Sequence, residues 1–527
     1  MIRQEIKELI KKATGVPLED IKIEHSESQS HGDYSTNIAL KLQKPAVEIA
    51  AELKSNLFEK VEVAGPGFIN FFLSQGYLQK ELKKVLKEKV GFGQLKIGQK
   101  KKVNLEYCSA NPTGPLHLGH GRGAFWGDTL SNVFEKAGWQ VTREYFINDY
   151  GKQILLLGKS IDARYKEILG EKLEMEDNFY KGEYIKDIAD KIVKKDRNKY
   201  LKLSDEKRIK FFTEFGLKGM LGGIKELLKK AGVEYDVWFS EKTLYKNGQV
   251  SKAIGTLKKK GLAYEKEGAL WFASSKFGDD KDRVLVKADG EPTYFASDIA
   301  YHIEKASRKY DLIINSWGSD HWGYKPRLMA AAKVFGFDQK LKIVVGQFVR
   351  LVEKGQEVKM SKRSGTFFSL SDLIDEVGID VTKFFFLTKS VDTHMDFNLD
   401  LAREQSAKNP VFYIQYAHAR ISSILRKTKI KPRLYPGLLK HSSELNLIKQ
   451  LLVLPEIVED TSRDYQVQRL PQYALELATS FHKFYRDCRV ISDDKKLTQA
   501  RLSLVLATQI VLKNVLDLMG ISAPDKM

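Results

Sequence analysis

The chain has 527 residues, 43% of them hydrophobic, which allows roughly two to four domains with sizeable cores and argues against wholesale disorder. Lysine and arginine number 87 against 68 aspartates and glutamates, and the resulting formal net charge of +19 favours a polyanionic partner, most simply nucleic acid. An anionic membrane or a merely solvated lysine-rich surface are the alternatives. The two cysteines, Cys108 and Cys488, lie far apart, so a disulfide framework and a cysteine-based zinc site are both disfavoured.

Residues 1–96 are predicted to form an α+β N-terminal domain. The opening "MIRQEIKELIKKATG" has Ile and Leu at helical spacing and no apolar run of membrane-spanning length, so we expect a first helix, no signal peptide or membrane anchor, and a cytoplasmic protein. "VEVAGPGFINFFLS" is typical of two strands joined by a Gly-Pro-Gly turn. A lysine cluster, "IGQKKKV", follows, and the domain boundary is placed near residue 96.

An α/β domain is predicted for residues 97–400. "VNLEYCSA" alternates like a strand, and two further strand-like runs, "DLIINSWG" and "KIVVGQFVRLV", flank the helical pattern "HWGYKPRLMAAAKVFG". Strands that alternate with helices indicate a Rossmann-type doubly wound parallel sheet. Residues 158–290 are charge-rich and mostly helical in period, which indicates an insertion within this domain.

The last segment, residues 401–527, is predicted to be an all-α bundle. Strand signals nearly vanish there. Three long stretches carry apolar residues at helical spacing: "NPVFYIQYAHARISSILRK", "LPQYALELATSFHKFYRDCRVI" and "TQARLSLVLATQIVLKNVLDLMG".

The stretch Ala110–Asp128, "ANPTGPLHLGHGRGAFWGD", places several glycines where a helix should begin. Each glycine costs about 1 kcal/mol of helix stability relative to alanine, so the run needs a reason. A strand, a turn and a glycine-rich helix start form the arrangement in which backbone N–H groups bind phosphate. Gly119 and Gly121 would let an adenine or ribose lie against the backbone, with His117 and His120, at i and i+3, facing the phosphates. A tight turn with two incidental histidines is the alternative.

A second basic segment, "VKMSKRSGT", follows about 240 residues later. Lys359, Lys362 and Arg363 put three cations on a loop flanked by Gly and Ser, which suits a loop that closes over a triphosphate, although a solvated basic loop is the alternative. Together, the two segments resemble the two signature motifs of class I aminoacyl-tRNA synthetases. The resemblance implies that an amino-acid carboxylate attacks the α-phosphate of ATP, which gives an aminoacyl-adenylate and pyrophosphate.

That resemblance also assigns residues. The implied catalytic residues are His117, His120, Lys359 and Lys362. The implied ATP contacts are Gly114, Pro115, Gly119, Gly121, His321, Met360 and Ser361. Mg²⁺ would accompany ATP through phosphate and water, so we expect no fixed metal site in the protein.

Longer segments are similar to arginyl-tRNA synthetases, over nearly the whole chain. They are "SANPTGPLHLGHGRG", "INDYGKQI", "DDKDRVLVKADGEPTYFASDIAYH", "WGSDHWGYKPRL" and "DVTKFFFLTKSVDTHMDFNLDLA". The resemblance implies that L-arginine is activated with ATP and transferred to the 3′-terminal adenosine of its tRNA, and that activation awaits bound tRNA.

An arginine pocket needs a carboxylate that meets the planar guanidinium with paired hydrogen bonds, and such a site should reject lysine. Tyr294 and Asp298 are four residues apart and share a face if "TYFASD" is helical. By resemblance, Asp298 receives the guanidinium, Tyr294 lines the pocket, and Glu106 and Asn111 contact the α-amino end or the side chain of arginine. The alternatives are a helix surface with a packed aromatic and, for Glu106, a charge at a strand edge.

Two segments depart from the family pattern. The family often has "GADHHGY" where this chain has "GSDHWGY", so His321 as an adenosine contact has a loop-capping histidine as its alternative. "INDYGKQI" carries Tyr150 and Lys152 where many relatives have smaller or amide residues, and neither is assigned a role.

Two surfaces are predicted to contact tRNA. "GFINFF" resembles the tip of the family's N-terminal domain, where Phe68 would stack on a base and Asn70 would hydrogen-bond to it, with a hairpin core as the alternative. "YIQYAHAR" and "GISAPDKM" resemble the anticodon-binding bundle. The candidate residues there are Tyr413, Tyr416, Arg420 and Met527, although a stripe of tyrosines on a helix can equally be core.

Other functions stay open at this point. A cysteine-specific class I synthetase would need a zinc–thiolate site, and a glutamate-specific one would want arginine in place of Asp298. A nucleotidyltransferase with the same His-x-x-His motif, or an RNA-binding protein with an inactive synthetase core, are further alternatives. The expected partners are tRNA, L-arginine and ATP, with no membrane, and the chain is expected to be a monomer.

Overall fold

The structure is a computed structural model that describes residues 1–527 except 27, 174, 359–367 and 436. The chain packs into two compact units. One contains Met1–Leu95, Gln405–Tyr465 and Arg469–Met527, and the other contains Lys96–Glu404 and Gln466–Gln468. The division into three domains stays a prediction, since packing does not establish independent folding. Across the described helices, none combines the length and the apolar character needed to cross a membrane.

The N-terminal segment is a four-stranded antiparallel sheet with helices. Its elements are α1 (Ile2–Thr14), β1 (Glu24–His25), β2 (Tyr34–Thr36), α2 (Ile38–Leu42), α3 (Ala46–Glu52), β3 (Phe58–Ala64), β4 (Phe68–Leu73) and α4 (Gln75–Glu88). The strand order is β1-β2-β4-β3. β3 and β4 form the predicted hairpin, and Gly65 and Gly67 in its turn adopt φ values of 55° and 143°, which favour glycine.

The second unit contains a five-stranded parallel sheet in the order β12-β11-β5-β6-β7. Its first elements are β5 (Lys102–Glu106), α5 (Leu118–Lys136), β6 (Gln140–Ile147), α6 (Lys152–Ile168), α7 (Glu183–Asp196), α8 (Asp205–Lys230), β7 (Val237–Ser240), α9 (Glu241–Lys246), α10 (Gln249–Lys259), β8 (Ala263–Lys266), β9 (Ala269–Phe272) and β10 (Arg283–Val286). The remaining ones are α11 (Tyr294–Ser307), β11 (Leu312–Gly318), α12 (Lys325–Phe335), β12 (Leu341–Gly346), β13 (Val349–Glu353), β14 (Gln356–Glu357), α13 (Leu370–Val377), α14 (Ile379–Leu387), β15 (Met395–Asn398) and α15 (Leu399–Arg403).

This strand order confirms the predicted Rossmann-type sheet. Taken in chain order, the strands lie as 3-2-1-4-5, which is the arrangement of a doubly wound sheet. The order reverses between β5 and β11, and ligands bind such sheets at the carboxyl ends of the strands that flank this switch point.

The predicted insertion at 158–290 is not a single inserted piece. Helices α6, α7 and α8 pack around a core of their own, in which Leu157, Ile161, Ile188 and Phe212 are buried. The chain then returns to the sheet, because Val237–Ser240 forms β7 and pairs in parallel with β6. This strand has only four residues, all half-buried, and so short a run is hard to recognise as a strand in the sequence.

The C-terminal segment is the predicted all-α bundle, made of α16 (Pro410–Lys427), α17 (Ser442–Leu452), α18 (Leu454–Asp464), α19 (Arg469–Asp487) and α20 (Lys495–Leu518). It packs on the N-terminal segment. The Arg3 guanidinium donates to Asp460 at 2.8 and 2.9 Å, and the buried carboxylate of Glu456 accepts from the Tyr34 hydroxyl at 3.1 Å. Ion pairs and hydrogen bonds therefore join the two ends of the chain in one compact unit.

Candidate active site

A cavity of the second unit lies at the carboxyl ends of β5 and β11, beside the switch point of the sheet. Its volume is about 820 Å³. The sequence-predicted residues that line it are Glu106, Asn111, His117, Gly119, His120, Tyr294, Asp298 and His321. One cavity therefore brings together the predicted nucleotide and amino-acid contacts that lie within the described residues, apart from Gly114, Pro115 and Gly121.

His117 and His120 cap the first turn of α5. The Nδ1 of each ring accepts the backbone N–H of the other residue at 3.3 Å, and the two rings stack with centroids 3.5 Å apart. Since Nδ1 accepts, the neutral rings carry their protons on Nε2. The arrangement presents two imidazole N–H groups at a helix N-terminus, which is an anion-binding chemistry.

The glycines of this segment serve different purposes. Gly119 lines the cavity, but Gly121 does not; a Cβ on Gly121 would lie 2.5 Å from Cδ1 of Leu370 on α13. Gly121 thus makes room for a neighbouring helix, and its predicted contact with a nucleotide stays a prediction. Gly114 lies near the Tyr184 hydroxyl, where a Cβ would be 3.1 Å from that oxygen, and neither Gly114 nor Pro115 lines the cavity.

The predicted basic loop falls outside the described residues, and with it Lys359, Met360, Ser361 and Lys362. The chain that follows the loop is described. Ser369 forms an isolated antiparallel bridge with His117, and the backbone N–H of Leu370 donates to Leu116 at 2.8 Å. The segment directly after the loop thus pairs with the start of α5.

Two carboxylates, Asp298 and Glu241, line one part of the cavity. Burial raises the pKa of Asp298 to about 7 and the pKa of Glu241 to about 7, and the charge of Glu241 adds to the effect on Asp298. The Ser297 hydroxyl donates to Glu241 Oε1 at 2.9 Å, whereas Oε2 is buried with no partner among the described residues. Tyr294 stands beside them with 56% of its surface exposed. Two neighbouring carboxylates with raised pKa values, one of them with an unpartnered buried oxygen, suit a cationic ligand.

Sequence reasoning missed Glu241. The signal was present: "VWFSE" puts a carboxylate directly after a strand, which is where functional residues of a parallel sheet collect. Because the predicted insertion at 158–290 included this four-residue strand, the residue after the strand was not considered as a site residue.

A third carboxylate, Glu106, ends β5 and is 5% exposed. It accepts hydrogen bonds from Lys305 Nζ at 2.5 Å, from the Tyr301 hydroxyl at 3.2 Å and from the Ser109 hydroxyl at 3.1 Å. Ser109 has a φ of 35°, a conformation that L-residues rarely adopt, so the backbone after β5 turns sharply. Glu106 is therefore a buried carboxylate with three donors, which the alternative of a simple strand-edge charge does not describe.

Three other residues shape the cavity. Asn111 is exposed at the cavity wall, and His321 is also exposed, with Nε2 3.5 Å from Asp320 Oδ2. Arg122, which follows the histidine pair, is buried and donates to the carbonyl oxygens of Gln347, Thr393 and Ser390 at 3.1, 2.8 and 2.6 Å. It ties α5 to the backbone segments around residues 347 and 390–393.

The predicted tRNA contacts of the N-terminal segment differ in exposure. Phe68 at the start of β4 is 40% exposed, whereas Asn70 is only 4% exposed. Phe68 therefore presents a ring to solvent, whereas Asn70, which is paired in register with Ser35 and Glu62, is covered by its surroundings.

A second cavity, of about 900 Å³, lies in the helical bundle. Of the four tRNA contacts predicted for the bundle, three line this cavity: Tyr416, Arg420 and Met527. The Arg420 guanidinium lies over the Tyr416 ring at 4.5 Å and the Tyr485 ring at 5.1 Å. Tyr413 instead packs on His482, with ring centroids 4.8 Å apart. The remaining lining is strongly basic, with Arg426, Lys427, Arg486, Arg489 and Lys526.

Comparison with known proteins identifies the family. A model described as "tRNA synthetases class I (R), catalytic domain" matches residues 81–411. The chain belongs to the arginyl-tRNA synthetase family. Further models match on either side, "Arginyl tRNA synthetase N terminal domain" over 1–73 and "DALR anticodon binding domain" over 414–527.

Individual relatives agree with this family. An arginine–tRNA ligase of Bacillus licheniformis is 44% identical and covers 100% of this chain and 98% of its own length. One of Geobacter sp. strain M21 is 46% identical over 96% and 95% of the two chains. The solved arginyl-tRNA synthetase of Thermus thermophilus has the same fold, with a TM-score of 0.77, 23% identity and full coverage of both chains.

Proposed function

We propose that this protein is an arginine–tRNA ligase, which activates L-arginine with ATP and transfers it to the 3′-terminal adenosine of its tRNA. The observation that carries the proposal is the joint lining of one cavity by a histidine pair at a helix N-terminus and by the two carboxylates of raised pKa, Asp298 and Glu241. A site that joins a nucleotide phosphate to a guanidinium-bearing amino acid needs both features together. Relatives of 44% and 46% identity that bear the name arginine–tRNA ligase support it.

ATP is assigned to the end of the cavity at α5. The Nε2–H groups of His117 and His120 and the helix N-terminus would stabilise negative charge that develops on the α-phosphate during attack by the arginine carboxylate. The reaction requires no covalent protein nucleophile, so orientation and charge stabilisation supply the catalysis. Lys359 and Lys362 are proposed to steady the departing pyrophosphate. Mg²⁺ is proposed to enter with ATP as part of that substrate.

Arginine is assigned to the carboxylate end. Asp298 and Glu241 would bind the guanidinium, with the Tyr294 ring beside it, and Glu106 would bind the α-ammonium group. Charge-assisted hydrogen bonds to a planar guanidinium are directional, so lysine would leave one carboxylate unpaired in a buried site.

The tRNA is assigned to the basic surfaces of the other unit. Tyr416 and the Arg420 guanidinium offer stacking planes at the mouth of the second cavity, and the arginines and lysines around it offer phosphate contacts. Phe68 offers a further exposed ring. A cytoplasmic location is proposed together with this function, and a monomer stays a prediction that light scattering can check.

The proposal is tested by ATP–pyrophosphate exchange and aminoacylation with each amino acid, with and without bulk tRNA. We expect arginine to be the one amino acid that supports exchange, and we expect that exchange only when tRNA is present. Equal stimulation by another amino acid would contradict the specificity, and exchange by none would contradict the activity.

The pocket is tested by Asp298→Asn. We expect it to raise the KM for arginine at least tenfold and the KM for ATP by less than threefold. Asp177→Asn, an exposed carboxylate outside the cavity, is the matched control. Equal effects on both substrates would contradict the assignment.

A further inference from the structure

A buried chain of polar side chains lies beneath the cavity. Lys305, on α11, has a fully buried side chain, and its Nζ donates to Glu106 Oε2 at 2.5 Å and to Asn315 Oδ1 at 2.9 Å. Lys305 therefore joins three elements, since Glu106 ends β5 and Asn315 lies within β11.

In this series of buried side chains, the donor and the acceptor of each hydrogen bond can be assigned. Lysine only donates, so Asn315 must present its oxygen to Lys305 and its amide group to His302, whose Nε2 lies 2.6 Å from Asn315 Nδ2. Nε2 then accepts, and the His302 proton sits on Nδ1, 2.8 Å from the backbone oxygen of Asp298. Burial lowers the pKa of His302 to about 3, with Lys305 as a further cause, so the ring is neutral at physiological pH. The chain thus runs from the backbone of Asp298 to the carboxylate of Glu106.

Counting acceptor positions on Glu106 shows what is left for a ligand. An ionised carboxylate offers about four lone-pair sites. Among the described residues, Lys305 and the Tyr301 hydroxyl donate to Oε2 and the Ser109 hydroxyl donates to Oε1. One position on Oε1 therefore remains, and Glu106 lines the cavity.

A second buried carboxylate lies next to Glu106. Glu144 pairs with Arg308 at 2.6 Å and accepts from Tyr301 at 2.9 Å, and Arg308 also pairs with Glu304. Lys305 and Arg308 therefore share three carboxylates, and Glu106 has its own donors within the protein before any substrate arrives. Such a carboxylate is preorganised for a further cation, which it binds without reorganising its own partners.

We propose that Lys305 is a positioning residue for the substrate's α-amino group: it fixes the Glu106 carboxylate from inside the protein so that the remaining acceptor position of that carboxylate faces the ammonium group. The hydrogen bonds through Asn315 and His302 set the distance between this carboxylate and Asp298, which lies at the end of the site assigned to the guanidinium. The inference rests on the proposed function, which assigns arginine to this cavity.

The test separates the two ends of the substrate. The probe is 5-guanidinopentanoate, which is arginine without its α-amino group. In tRNA-supported exchange, the ratio of its inhibition constant to the KM for arginine measures the preference for the amino group. We expect Lys305→Met to lower this ratio at least tenfold through a higher arginine KM, with the inhibition constant changed less than threefold, and Lys305→Arg to restore part of it.

Controls distinguish positioning from general damage. Arg208→Met breaks a buried ion pair with Asp162 (2.5 Å) between α8 and α6, outside the cavity, and should leave the ratio unchanged. Proportional increases in the KM and in the inhibition constant of Lys305→Met would overturn the proposal. A wild-type ratio near one, unchanged in Glu106→Gln, would show instead that Glu106 does not bind the amino group, which is a failure of the proposed function.

A milder variant covers the case in which Lys305→Met does not fold. Asn315→Leu keeps the Lys305–Glu106 pair and removes the second anchor of the ammonium group. It should lower the same ratio by about threefold to tenfold, in line with the typical net contribution of a single hydrogen bond. An unchanged ratio in this folded variant would overturn the proposal.

Discussion

Lowering the pH from 7.5 to 6 should reduce kcat/KM for arginine through the two carboxylates of the pocket. The pKa values of Asp298 and Glu241 are raised to about 7 by burial, whereas a guanidinium stays charged throughout this range. A carboxyl group of pKa 7 is ionised to about 9% at pH 6 and to about 76% at pH 7.5. The expected loss is therefore about eightfold if one carboxylate must be ionised and up to about seventyfold if both must be.

The assay is tRNA-supported ATP–pyrophosphate exchange, with arginine varied at saturating ATP. Since kcat/KM reports ionisations of the free enzyme, its midpoint should lie near pH 7. The internal control is kcat/KM for ATP at saturating arginine, in which the bound guanidinium keeps both carboxylates ionised. An equal fall for both substrates, or an arginine midpoint between pH 4 and 5, would refute the reasoning.

Three further outcomes are expected. Gly121→Ala should destabilise the protein by about 1–3 kcal/mol in urea unfolding, because its Cβ would meet the buried Leu370 side chain at 2.5 Å, whereas Gly222→Ala, with no neighbour within 4 Å on α8, should be neutral or stabilising. Glu241→Gln should make the arginine-free protein more stable than wild type at pH 8 by about 1–3 kcal/mol, because a raised folded-state pKa means that stability is lost as the pH rises from about 4.5 to 7; a gain that persists at pH 4.5 would contradict this origin. Arg420→Gln should raise the KM for tRNA at least fivefold with the KM for arginine unchanged, and a parallel rise in both would argue against a tRNA contact.

Strong local patterns made much of the fold predictable. The run "DLIINSWG" forms β11 and the C-terminal stretches form helices, because each carries many apolar residues at one period. The Gly-Pro-Gly turn joins β3 to β4, because glycine and proline favour turns. The run "KIVVGQFVRLV" is less simple. It divides at residues 347–348 into β12 of the central sheet and β13, which pairs with β15 in another sheet. A continuous apolar run does not reveal where a chain changes sheets.

The site was predictable where its parts are adjacent in sequence. His117 and His120 lie together at the start of α5, as their i, i+3 spacing indicated, and the structure adds that they form a capping box. Contacts that join distant segments were not accessible: Lys305 meets Glu106 across 199 positions, and Leu370, against Gly121, belongs to a helix about 250 residues further along. A glycine in the sequence indicates that something approaches the backbone closely but does not identify it, so the packing of Leu370 against Gly121 could not be predicted.

The central claim is that one cavity binds both ATP and arginine. The most direct test is a crystal structure with arginyl-sulfamoyl-adenosine, a stable mimic of the adenylate. Our account predicts the sulfamoyl group within hydrogen-bonding distance of His117 or His120, the guanidinium on Asp298 and Glu241, and the ammonium group on Glu106. A compound bound in the opposite direction, or one whose guanidinium touches neither Asp298 nor Glu241, would contradict it.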